Sequence, residues 1–185
     1  MRRPRSSAWI EYWPFKPGVA GSNPVGAIIK MRRTKEALHW INNLLRKNRI
    51  KLIIFGGFAA KIYGSKRELA DIDIAVQRKD IGKTYELVKK HAIRELKRYK
   101  DSDWNAIVVT INRFGQEIDI ISIEDTKIFD KKEKTWKSFA PYFKHPVKRI
   151  FMGEKLIVIS EAKLISYKKR LLRRADKKDI RYLTN

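Results

Sequence analysis

The chain has 185 residues, 43% of them apolar, enough for one domain with a real core and too few for two comfortable ones. Its 43 Lys and Arg against 20 Asp and Glu leave a net charge of +23, a field that draws polyanions such as nucleic acid or nucleotide phosphates. The absence of cysteine excludes disulfides, thiolate metal sites and cysteine nucleophiles, and no apolar run reaches the ~18 residues of a membrane helix.

Residues 1–30 carry four of the six prolines and show no helical or alternating periodicity. Their arginine-led start lacks the apolar segment of a secretory signal, so a cytoplasmic location is expected. The stretch GSNP, Gly21 to Pro24, is also what one frame of a tRNA gene's T-arm would encode. Two readings stand: an upstream start codon with the biological start at Met31, or a flexible basic tail. Either way residues 31–185 are expected to form a single domain. With 38 basic against 19 acidic residues that part still carries +19.

From Thr34, the apolar residues Ala37, Leu38, Ile41, Leu44 and Leu45 recur at helical spacing, which predicts an amphipathic helix fading near Asn48. KLIIFG, Lys51 to Gly56, reads as a buried strand, Phe58 to Tyr63 as a short helix stopped by Gly64 and Ser65, and DIDIAVQ as a second strand. Asp80 is placed to cap a helix from about Ile81 to His91. IRELKRYK is read as a strand, and Ala106 to Ser122 as a hairpin turning at NRFG. Residues 125–150, basic and aromatic, give no clear pattern. EKLIVIS predicts one more strand, Ser160 a cap for a helix through Arg174, and Asp176 a cap for a last short helix. Strands interleaved with helices plus one hairpin give an α/β (α+β) fold with a mixed β-sheet flanked by helices.

Asp71 and Asp73 stand at alternate positions of an apolar strand, so both project from one face while Ile72 and Ile74 enter the core. Two like charges this close disfavour joint ionisation unless a cation lies between them. Hard carboxylate oxygens at such spacing suit Mg²⁺, which takes few protein carboxylates and completes its shell with water and phosphate. Glu117 and Asp119 repeat the pattern on a later strand, and three or four carboxylates facing one space make a two-metal geometry for phosphoryl chemistry. The bland alternative is an exposed strand face whose aspartates only accept hydrogen bonds. Gly56 and Gly57 weigh against it: a strand, a glycine pair, a short helix and a carboxylate strand bring a phosphate cradle beside metal ligands. The histidines His39, His91 and His145 show no ligand spacing and read as structural.

The stretch GGFAAKIYGSKRELADIDIAV, with Asp119 downstream, resembles the DNA polymerase beta-like nucleotidyltransferase superfamily. It looks most similar to the small single-domain group related to AbiEii-type toxins and to aminoglycoside and lincosamide nucleotidyltransferases. The resemblance implies that Gly56, Gly57 and Arg67 contact the triphosphate and that Asp71, Asp73 and Asp119 bind Mg²⁺, two ions being expected. Leu69 stands where that superfamily often has a hydroxyl residue. A weaker resemblance covers Leu164 to Leu183, where Lys168, Arg173, Asp176 and Asp179 fit a family spacing and Ala175 replaces an expected lysine. Lys168 would then be a nucleotide-binding residue. From the helix pattern alone it lies on the apolar stripe of Leu164 and Leu171, either snorkelling to water or entering a polar cleft.

The function implied is Mg²⁺-dependent transfer of a nucleoside monophosphate from an NTP to an acceptor hydroxyl. The basic surface favours an RNA acceptor such as tRNA over a small cationic antibiotic, and the resemblance adds an antitoxin-type protein partner. The alternative is a non-catalytic nucleotidyltransferase-like module that binds RNA or an antitoxin.

Overall fold

The computed structural model describes residues 24–184 of the chain. Helix α1 (Pro24–Lys47) buries Ala37, Leu38, Ile41 and Leu45, the stripe its spacing predicts. It begins ten residues before Thr34. Gly26 and Ile28 through Arg33 are exposed, so no core face is there to imprint a period on the sequence. Most of the expected tail, residues 1–23, lies outside the described residues.

Strand β1 (Leu52–Ile54), helix α2 (Gly56–Ile62) and strand β2 (Asp71–Val76) follow as the sequence predicts. Helix α3 (Arg78–Val88) starts directly after β2, with Gln77 rather than Asp80 at its N-cap position. Asp80 sits in the first turn, where its charge suits the helix dipole. A 3₁₀ turn at Lys89–His91 leads into β3 (Ala92–Lys100), the hairpin β4 (Trp104–Arg113) and β5 (Gln116–Ser122). The hairpin turns at Phe114 and Gly115, both at positive φ, while Asn112 is still paired to Glu117 within the ladder.

Residues 125–150, unreadable in the sequence, supply β6 (Lys127–Asp130), β7 (Thr135–Ser138), a 3₁₀ turn at Ala140–Phe143 and β8 (Val147–Phe151). Strands this short hold barely two periods. Their aromatic residues build part of the core instead: the Phe139 ring packs edge-on against Phe143 at 4.9 Å, Tyr167 at 5.0 Å and Trp104 at 5.2 Å. Strand β9 (Glu154–Val158) precedes helices α4 (Glu161–Leu171) and α5 (Arg174–Thr184). Helix α4 stops three residues short of Arg174, because Leu172 turns left-handed at φ 52°. Ser160 holds its N-cap position without a side-chain bond. Asp176 lies inside α5 and accepts the Arg173 backbone N–H at 3.2 Å, the returning half of a capping box.

The strands form one mixed sheet in the order β7-β6-β4-β5-β2-β1-β9-β8, with β3 on the other side of β4. Only β1–β9 and β2–β5 are parallel pairs. β2 is therefore central and buried along its whole length, which explains why its run of apolar residues is so dense. One face of β2 and β5 sets Ile72, Ile74, Ile118 and Ile120 into the core. The other carries the carboxylates.

Candidate active site

β2 and β5 run side by side with Asp71 opposite Glu117 and Asp73 opposite Asp119. Neighbouring strands stand ~4.8 Å apart, and register partners share a face, so the Asp73 and Asp119 side chains rise together. Asp71, Asp73 and Asp119 are 8%, 8% and 4% exposed and line one pocket, whereas Glu117 is not part of its wall. The pocket is closed on the glycine side by Phe55, Gly56 and Gly57, and on the other by Tyr167, Lys168, Arg173 and Ala175.

The glycine pair is positioned by the turn from β1 into α2. Gly56 takes φ +63°, and a Cβ there would stand 1.9 Å from the Asp73 Oδ2, so a side chain is excluded twice over. The next N–H, of Gly57, donates to that same Oδ2 at 2.8 Å. A Cβ on Gly57 would meet the Arg67 guanidinium at 2.3 Å. Both glycines thus let Asp73 and Arg67 come within reach of the helix start.

Burial, the Asp71 charge and the Asp119 charge push the Asp73 carboxyl well above its usual range, although Lys168 and the Gly57 N–H pull the other way. Burial and Asp71 raise Asp119 to about 7 despite a hydrogen bond from the Thr110 hydroxyl at 2.5 Å. Three nearly buried carboxylates on one face, two of them held well above their usual range, are a donor set that a hard divalent cation would relieve. Among the described residues no three such groups stand close enough to share one ion as placed. Their chemistry and common face fit Mg²⁺; a shared coordination shell needs the side chains to turn inward.

The remaining predicted residues belong to a second, compensated cluster. Lys168, 1% exposed, points into the polar cleft, and its Nζ lies 3.0 Å from Asp176 and 2.9 Å from Asp179. Asp179 also accepts from the Ser65 hydroxyl at 2.9 Å and from Arg67 Nε at 3.1 Å. Asp176 accepts from Arg173 Nε at 2.7 Å. Burial alone would raise Asp176, but Arg173 and Lys168 hold it down to about 2. Of the two readings open for Lys168, the structure shows the polar cleft, and Arg67 lines the same pocket. Asp176 and Asp179, which fit the same spacing, do cap and pair: Asp176 accepts the Arg173 N–H, and the two carboxylates hold Lys168, Arg67 and Arg173. Arg173, singled out only by its spacing, also lines the pocket, and Tyr167 and Trp104 were missed altogether as wall residues. Tyr167 looks in sequence like one more core aromatic.

No protein-family model and no curated protein matches the chain. Its fold is that of nucleotidyltransferases of solved structure. A protein from Thermotoga maritima to which nucleotidyltransferase activity is ascribed superposes with a TM-score of 0.62 at 17% identity, over 77% of this chain and 86% of that one. The lincosamide antibiotic adenylyltransferase LnuA, solved with lincomycin, gives 0.54 at 18% identity, over 81% and 96%. ANT(2″)-Ia, in complex with adenylyl-2″-tobramycin, gives 0.54 at 13% identity, over 81% and 87%. Among the described residues no helix is long and apolar enough to cross a membrane.

Proposed function

We propose that the chain is a nucleotidyltransferase that moves a nucleoside monophosphate from an NTP to an acceptor hydroxyl, releasing pyrophosphate. The observation that carries this reading is the convergence of Asp71, Asp73 and Asp119 on one face beside the Gly56–Gly57 turn. Asp71, Asp73 and Asp119 would hold Mg²⁺, which supplies charge neutralisation on the phosphates and a more acidic acceptor hydroxyl. The chain's own residues bind and orient. Gly56 and Gly57 leave backbone room for the phosphate chain at the start of α2. Arg67 and Lys168 line the pocket as fixed positive charge, already oriented by Asp179 and Asp176 and so requiring little reorganisation. Likeness to the antibiotic adenylyltransferases supports nucleotide transfer in general. The +23 charge supports RNA, such as tRNA, as the acceptor over a cationic antibiotic; a toxin-type role of the AbiEii kind, with an antitoxin-type partner, rests on the motif resemblance alone.

The test is incubation with Mg²⁺, each labelled NTP in turn and total RNA. Label should enter RNA with the wild-type protein and be lost in Asp71→Asn and Asp73→Asn while both variants stay folded. Undiminished transfer by those variants would refute the proposal. A non-catalytic RNA-binding or antitoxin-binding module is the second reading, favoured by the carboxylates not sharing one ion as placed. Retention of RNA without labelling would select it.

A further inference from the structure

Tyr167 is the largest fully buried side chain of the described core, and its hydroxyl has no hydrogen-bond partner there. A phenol O–H sealed away from water normally finds an acceptor, because the unmade bond carries the full desolvation cost. Its ring is held in an aromatic cluster, with Phe139 edge-on at 5.0 Å and Tyr142 at 5.8 Å. Nor is Tyr167 remote from the chemistry. It lines the pocket together with Gly56, Gly57, Asp73 and Lys168, and it feels the charges of Asp176 and Asp73. Its neighbours Lys168 and Arg173 are bonded to carboxylates. Among the polar groups of that wall, this hydroxyl is a fully buried donor with no partner.

We infer that the Tyr167 hydroxyl is a ligand-binding donor, kept unpaired by the fold so that it can hydrogen-bond a phosphate oxygen of the bound nucleoside triphosphate. The inference rests on the nucleotidyltransferase reading and adds a binding residue to it. A phosphate oxygen suits the place better than a base edge, because the pocket groups around it are the glycine turn, the carboxylates and the cation cluster. An unmet donor also makes a distinctive pair of demands. Removing it should not weaken the folded protein, since no bond is lost, but it should weaken the complex.

The experiment compares wild type, Tyr167→Phe and the control Tyr142→Phe by thermal unfolding without ligand and by calorimetric titration with Mg²⁺–ATP, Mg²⁺–GTP and inorganic tripolyphosphate. The expected result for Tyr167→Phe is an unchanged or raised Tm with roughly ten- to hundredfold weaker binding of all three ligands, the range for a hydrogen bond to a charged group. Tyr142→Phe should bind as wild type does. A Tm lowered by several degrees with binding intact would show a structural hydroxyl and overturn the inference. Unchanged affinity would do the same. A loss confined to the nucleotides, with tripolyphosphate unaffected, would move the hydroxyl to the nucleoside and overturn the phosphate assignment. Wild-type protein that binds none of the three would overturn the nucleotidyltransferase reading itself, and this inference with it.

Discussion

Asp119→Asn isolates the electrostatic cost of the carboxylate cluster. The folded protein holds this carboxyl at about 7, against 3.8 for the unfolded chain. Below pH 4 both states are protonated and Asp119 contributes nothing. Between pH 4 and 7 the folded state retains a proton that the unfolded state has released, so stability falls as pH rises. Three units correspond to about 4 kcal/mol at pH 8, an upper figure because the cluster titrates jointly. Asparagine cannot ionise, yet its amide oxygen still accepts from Thr110. Urea unfolding in chelator should therefore show Asp119→Asn close to wild type at pH 4 and more stable by a few kcal/mol at pH 8. Adding Mg²⁺ at pH 8 should narrow the gap by stabilising wild type alone. A gap that is flat with pH, or that favours wild type at pH 8 without metal, would refute the reasoning.

Lys168→Met should cost about 1–3 kcal/mol in chemical unfolding, because Asp176 and Asp179 each lose one charged hydrogen bond while keeping Arg173 and Arg67. A change under 1 kcal/mol would mean the pair is solvated. Gly56→Ala should abolish nucleotide transfer and destabilise by at least 1–2 kcal/mol, from the left-handed backbone alone; wild-type transfer by the folded variant would contradict the close approach to Asp73. Phe139→Ala should cost about 3–5 kcal/mol by removing the centre of the aromatic cluster, read as a lowered urea midpoint.

The central strands were legible because their constraint is local. DIDIAV reads as a strand with one apolar face in the core, and its alternate aspartates set the carboxylates on the other face, which the structure also buries. The glycine pair was legible as a tight turn where backbone comes close to a partner; that this partner is Asp73 came only from the structure. Asp176 and Asp179 were harder. At three residues apart they look like an ordinary helix surface pair, and only the packing of α5 against α4 turns both inward, to 0% exposure. Tyr167 was harder still. Nothing in an aromatic residue on an apolar stripe records whether its hydroxyl found a partner. The strands between 125 and 150 failed as patterns because β6 alternates in burial but puts the polar Asp130 at one of its two buried positions, while the edge strand β7 buries no residue fully.

The two clusters explain each other. A buried trio of aspartates beside a free lysine and two free arginines would simply collapse into ion pairs and lose its affinity for metal. Here Lys168, Arg67 and Arg173 are each engaged by Asp176 or Asp179, both fully buried. Three cations against two carboxylates leave one positive charge in surplus, enough for Lys168 to lower Asp73 without bonding to it. The fold thus accepts strain at Asp73 and Asp119 and keeps nearby positive charge from relaxing it. Such an arrangement gains little for stability, as the Asp119→Asn comparison would show. Under the proposed function, a divalent ion would sit by the carboxylates and a phosphate chain by the surplus charge and the Tyr167 hydroxyl.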